Sequence, residues 1–246
     1  MIKLLQANCG RHQLHTVFSD FVEMAALAYA NAVDMRQRPG REKRYLEIVA
    51  RYTREQVSNF TGALASLTMA LECAGFADVL GTAFMELELG SKWAGQFFTP
   101  YSVCQLMAGV NMVGLPEKVK AQGFVTCCDP AVGAGALPIA FAEAMYLAGH
   151  NYQHCLHVTA QDVDARAAHM AFVQLSLLHV PAVVIVGNSL SGERREVWYT
   201  PAHVMGGWSR RLNRQQKETP PAEPAARAAA PVTAPLAEPE MLGLFD

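Results

Sequence analysis

Neither charge sign dominates this chain of 246 residues: 20 Lys and Arg face 22 Asp and Glu, for a formal charge of −2. That balance excludes a polycation that coats nucleic acid by bulk charge alone. No uninterrupted apolar run approaches the roughly 20 residues that cross a bilayer, so no membrane association is expected. Residues 1–5 lack the long apolar stretch and cleavage pattern of a secretion signal. Six cysteines, at 9, 73, 104, 127, 128 and 155, form no C-x-x-C pair. Adjacent Cys127 and Cys128 suit a shared tetrahedral metal poorly, and both read as small apolar groups buried in a strand. Unpaired thiols fit a reducing, cytoplasmic setting. Histidines at 150, 154, 157, 169, 179 and 203 crowd the second half without ligand spacing. His169 and His179 would point different ways on one helix, and no metal site is expected.

What is present is 51% hydrophobic residues, enough for one sizeable core with a helical appendage. Residues 13–92 read as helical. Leu14, Val17, Phe18, Phe21, Val22 and Ala25 recur at helical spacing, as do Tyr45, Ile48, Val49 and Tyr52, then Leu64, Leu67 and Leu71. These stripes read as core. Pro39-Gly40 punctuates the first two helices. Arg36, Arg38, Arg41, Lys43, Arg44, Arg51 and Arg54 crowd one region, and the expected reading is a solvated helix face. A second cluster, Arg194, Arg195, Arg210, Arg211, Arg214 and Lys217, suits a phosphate contact or a soluble flank equally well.

The most informative stretch is Cys128-Asp129-Pro130-Ala131-Val132-Gly133-Ala134-Gly135-Ala136-Leu137. An apolar run over 124–127 precedes it and a helical stretch over 137–147 follows. A strand, a glycine turn and a helix in succession build a nucleotide-shaped pocket, because glycines let backbone approach a ligand closely. Upstream stands Gly95-Gln96-Phe97-Phe98-Thr99-Pro100. Thr99 suits an N-cap and Pro100 the first helical position, so a helix is expected to begin there. Downstream, 156–160 reads as a second strand ending at Gln161-Asp162-Val163-Asp164, followed by a helix over 165–178. Asp162 lies 33 residues after Asp129, placed to accept from ribose hydroxyls. A third strand over 183–186 closes at Gly187-Asn188-Ser189-Leu190.

These pieces, in this order, resemble the adenine-N6 DNA methyltransferases, most closely the modification subunit of type I restriction-modification systems. The family's G-Q-F-[FY]-T-P motif, its D-P-x-x-G-[ST]-G-x-[LF] loop, its acidic end to the second strand and its G-[DN]-[ST]-L closure all have counterparts. The run-up Asp78-Val79-Leu80-Gly81, with Phe84, Glu86 and Glu88, is similar as well. The resemblance covers roughly residues 77–190 and implies S-adenosyl-L-methionine as cofactor. Phe98, Thr99 and Pro100 would line its methionine end, and Asp129, Gly133 and Gly135 the loop beneath it. Asp162 would hold the ribose. Asn188, where the family often has Asp, would accept from the adenine amino group through its carbonyl oxygen. Ala134 stands where the family has Ser or Thr. The Asp-Pro ahead of the glycines and the Phe-Thr-Pro element have no place in a nicotinamide-binding fingerprint, which leaves an oxidoreductase little support.

The family's [DNS]-P-P-[YFW] motif, which accepts from the target amine and stacks on the flipped base, is not found. Thr219-Pro220-Pro221-Ala222 has the wrong first residue, no aromatic and no strand before it. Neither His203 nor Asn213 has a spacing that recommends it as a substitute acceptor. Two readings follow. One is a methyltransferase-like protein of DNA modification whose catalytic residues are unidentified. The other is an inactive binding or regulatory protein on a truncated methyltransferase fold.

The expected architecture is α/β, a partial Rossmann-like sheet of order 3-2-1 after a helical region. The expected divisions are a helical region over 1–92, a cofactor-binding domain over 93–212, a disordered Pro/Ala-rich linker over 213–240 and a docking peptide over 241–246. That peptide, Met241-Leu242-Gly243-Leu244-Phe245-Asp246, resembles the Q-L-[SD]-L-F motif for the bacterial sliding clamp, with Leu242, Leu244 and Phe245 as apolar anchors. The expected partners are DNA, the sliding clamp, and a second copy or a specificity subunit. Either a short fourth strand over 197–203 or the packing of a second copy would cover the first strand's open side, and the sequence does not choose between them.

Overall fold

A computed structural model describes residues 1–87, 89 and 98–218. Glu88, the Gly95-Gln96-Phe97 part of the first motif, Thr219-Pro220-Pro221-Ala222, the 219–240 stretch of the expected linker and the 241–246 peptide lie outside those residues.

Five helices come first: α1 (Ile2–Ala7), α2 (Leu14–Val33), α3 (Arg38–Val49), α4 (Arg54–Ala74) and α5 (Val79–Glu86). Helix α2 follows the apolar spacing of the sequence and buries Val17, Phe18, Phe21, Val22 and Ala25. Helix α4 opens on a capping box in which Thr53 and Gln56 satisfy each other's backbone N–H groups. Pro39 sits in the first turn of α3, where its missing N–H costs nothing. Pro39-Gly40 therefore begins this helix, and residues 34–37 make the link.

Part of the basic cluster departs from the expected solvated face, whereas Arg36, Arg38, Lys43, Arg51 and Arg54 are exposed as expected. Arg44 forks onto Glu23 at 2.6 and 2.8 Å, and Arg51 reaches Asp20. Arg41 is buried, ion-paired to Asp34 at 2.9 Å and stacked over the Trp198 ring. Acids at the end of α2 and along it thus hold Arg41 and Arg44 against the body of the protein.

Then follow α6 (Tyr101–Asn111), α7 (Leu115–Gln122), β1 (Val125–Asp129), α8 (Ala136–Leu147), α9 (Tyr152–Cys155), β2 (Leu156–Asp162), α10 (Ala165–Leu177) and β3 (Ala182–Val186). β4 (Glu196–Tyr199), α11 (Pro201–Met205) and α12 (Trp208–Glu218) close the described chain. Pro100, with ψ near 139°, is the residue before α6, so the helix starts one position later than Thr99 and Pro100 suggested. Helix α12 continues to Glu218, past the expected linker start at Asn213. Residues 208–218 carry Arg, Gln and Lys and no Gly or Pro, and such residues favour helix.

The sheet has the order β1-β2-β3-β4, with the first three strands parallel and β4 antiparallel to β3. The 3-2-1 expectation is met for the parallel strands. The fourth strand is not where it was expected: it borders β3. Only residues 187–195 separate β3 from β4, a connection that returns the chain beside the strand it has just left. Among the described residues no strand lies on the outer side of β1. At the β4 edge, Arg41 Nη2 donates to the Val197 carbonyl at 3.2 Å and so takes up one of its backbone acceptors.

One face of the sheet, with Leu156, Val158, Ala160, Ala182 and Val184, is buried together with side chains of α8 and α10, and α2 packs on α10. The other face is more open at β1. Cys128 is exposed there and Cys127 only half-buried, so the adjacent thiols do not share the expected buried position. Side chains alternate along a strand, and β1 lies at an edge. Leu5, Phe21 and Leu67 of the helical region belong to the same core cluster as Ile139, Val158 and Trp198. Residues 1–210 form one compact unit, and the helical region and the sheet share one core cluster. Residues 211–246 are set apart as a second unit. Among the described residues no single helix is long and apolar enough to cross a membrane.

Candidate functional site

The parallel strands finish together, and their ends carry the polar groups. Asp129 closes β1, 8% exposed, and its Oδ1 accepts from the Ala131 N–H at 3.1 Å. Burial pushes its carboxyl up from the ordinary range, and the nearby Asp162 charge adds to that. The turn that follows places Gly133 at φ +56° and Gly135 at φ +100°, both left-handed. A Cβ on Gly133 would meet the Phe98 ring at 2.9 Å. A Cβ on Gly135 would stand 3.3 Å from the Ala171 Cα of α10. The first glycine admits an aromatic ring and the second admits a neighbouring helix.

Asp162, at the end of β2, holds this turn in place. Its Oδ2 accepts from the Gly133 N–H at 2.9 Å and its Oδ1 from the Asp164 N–H at 2.9 Å. Beside it the Val132 N–H donates to the Gln161 carbonyl, also at 2.9 Å. Each carboxylate oxygen keeps a second lone pair, so the group has capacity for a hydroxyl as well. The end of β3 joins the same frame, since the Gly187 N–H donates to the Asp162 carbonyl at 2.8 Å. A Cβ on Gly187 would fall 2.1 Å from the Glu193 carbonyl oxygen, so only glycine fits there.

Several site residues named from the sequence therefore meet: Phe98, Asp129, Gly133, Gly135 and Asp162. Phe98 is half-buried and lies 5.2 Å, centroid to centroid, from Phe84. Thr99 and Pro100 are exposed. Asn188 caps the turn after β3: its Oδ1 accepts from the Leu190 N–H at 2.9 Å and from the Ser191 N–H at 3.4 Å, so both lone pairs of the oxygen assigned to an adenine amino group face the backbone. His203 is remote. Its Nδ1 lies 2.9 Å from Nε2 of His157, at the beginning of β2. Five residues of strand, about 16 Å, separate His157 from Asp162, so His203 does not serve as an acceptor at this end. Asn213 is an exposed residue of α12.

Gln174 was missed. This fully buried side chain in α10 donates to Asp78 Oδ1 at 2.8 Å and to the Ala134 carbonyl at 2.9 Å. Its own oxygen accepts from the Leu80 N–H at 3.0 Å. It thereby ties the start of α5 to the glycine turn. Asp78 also accepts from the Gly81 N–H at 2.8 Å, and burial pushes its carboxyl up. The available signal was a single amide within the apolar stretch of 167–175, a position that must find partners when buried. Of the second basic cluster, Arg195 donates to the Val163 carbonyl at 2.5 Å, bracing the loop after β2.

The arrangement gathers two carboxylates and a glycine turn at one end of the sheet, and Asp162 has acceptor capacity left for a ligand's hydroxyls. A family model described as N-6 DNA methylase matches residues 83–205, half of the chain, and takes in β4 and α11 as well as the glycine turn. No curated protein and no solved structure matches.

Proposed function

The chain belongs to the N-6 DNA methylase family, and from that membership we propose that it binds S-adenosyl-L-methionine where β1, β2 and β3 end and serves DNA adenine methylation. The observation that carries this reading is the glycine turn held against Asp162 by the Gly133 N–H. Gly133 and Gly135 make room for Phe98 and for α10, which seats the turn against Asp162, and Asp162 retains lone pairs for ribose hydroxyls. Phe98 lies over Gly133, in position to flank the methionine end. With the Asn188 oxygen fixed in its turn, the amide N–H groups are what it offers to an adenine ring nitrogen.

A second reading is an inactive binding or regulatory member of the family. It is favoured by the outer side of β1, where no strand pairs among the described residues, so no target-amine acceptor stands beside Asp129. Contact with DNA, a place in restriction-modification with a specificity subunit, clamp docking through Leu242, Leu244 and Phe245, and a cytoplasmic setting belong to both readings.

Calorimetric titration with S-adenosyl-L-methionine tests the shared claim. The wild-type chain is expected to bind, and Asp162→Ala to bind about 10- to 150-fold more weakly, the worth of a charge-assisted hydrogen bond of about 1.5–3 kcal/mol. A wild-type protein that gives no binding heat at millimolar ligand removes the proposal.

A further inference from the structure

Helix α6 is apolar on two sides, and among the described residues only one of them is covered. Its narrow side, Cys104 and Ala108, is 1% and 0% exposed against Ala136 and Ala140 of α8. Tyr101 Oη and Gln105 Nε2 both donate to Glu143 Oε2 at 2.9 Å and fix the helix in that orientation. The side about a third of a turn away carries Val103, Leu106, Met107 and Val110, continued by Val113 just past the helix end. These are 43%, 69%, 44%, 67% and 86% exposed. The spacing i, i+3, i+4, i+7 places the first four in one stripe. A helix with two apolar sides ordinarily buries both. The stripe exposes an apolar surface on the order of the several hundred Å² that marks an interaction site.

We infer that this stripe is the contact through which two copies of the chain associate, α6 of one packing antiparallel on α6 of the other about a two-fold axis. Charge is the first argument for a second copy as the occupant. Residues 98–116 contain no Asp, Glu, Lys or Arg, so two identical faces meet without repulsion and present nothing for a charged partner to pair with. Symmetry is the second, because a two-fold contact uses the same patch twice and needs no other surface. Size is the third. Two such strips with their polar rims reach the lower range of stable interfaces, about 1,200 Å² in total. Gly109 borders the stripe with nothing within 4 Å of where a Cβ would stand, which lets the paired backbones come close.

Sedimentation equilibrium of the full chain decides this independently of any cofactor. The wild type is expected to be a dimer at about 100 µM, and Leu106→Glu and Val110→Glu to raise the dissociation constant at least about tenfold. Both substitutions sit on exposed positions, so unchanged circular dichroism and melting temperature will show that the fold survives. Leu46→Glu, at an exposed leucine of α3, serves as the control that leaves the dimer intact. A monomeric wild type, or a dimer untouched by both α6 substitutions, overturns the inference; the stripe would then belong to another occupant.

Discussion

His203 is 3% exposed beneath the Tyr199 ring, with Nδ1 on His157 and Nε2 on Ser209 Oγ, both at 2.9 Å. Burial pushes its imidazole down to about 4 from the ordinary 6.5. The sign follows from which state holds the proton. Between those values the unfolded chain is protonated at this position and the folded chain is not, so stability falls as the pH drops through that window and is fully restored above about 6.5. Urea midpoints measured from pH 7 downward are expected to decline, and His203→Gln to flatten the decline. Equal slopes for the two proteins would dismiss His203 as its source. The residues at the cofactor end were more legible than this one. Asp129, Gly133, Gly135 and Asp162 announce themselves because strand, turn and acid occur in a fixed order. Asn188 was read correctly as a polar end to β3, but not as a turn cap, since spacing does not say which atom an amide spends on its own backbone. Gln174 escaped for a related reason: its partners at positions 78, 80 and 134 are distant in sequence and meet it only through the fold.

Among the elements, the glycine turn and α10 are packed too closely for a side chain at Gly135. Gly135→Ala forces a left-handed φ on alanine and drives its Cβ toward the Ala171 backbone, at an expected cost of about 1–3 kcal/mol. Denaturant titration measures it, and a loss below a few tenths of a kcal/mol would mean that α8 and α10 separate easily. The parallel strands and their helices were readable from apolar runs and turns to within two or three residues. The strand at Glu196–Tyr199 was readable as a strand but not as a neighbour of β3. Strand propensity fixes no partner. What fixes it is the short 187–195 connection, together with Arg41, whose guanidinium occupies the outer side of β4. The inward turn of Arg41 and Arg44 was not legible locally, because Asp34 and Glu23, the acids that draw them in, lie outside α3.

For the whole molecule, a shared core from Leu5 through Trp198 makes the helical region and the sheet interdependent. Residues 1–210 are expected to unfold in a single calorimetric transition, with calorimetric and van't Hoff enthalpies equal. Two resolved transitions would restore the division at residue 92. That division was suggested by a change of pattern, from helical stripes to strands and turns. Pattern does not reveal whether neighbouring segments bury their apolar faces separately or against each other.

The sheet itself is lopsided: a guanidinium takes one carbonyl of β4, while among the described residues no strand lies along β1. A further strand finds its free backbone partners at the β1 margin, so a segment that meets the sheet there lengthens it from that side.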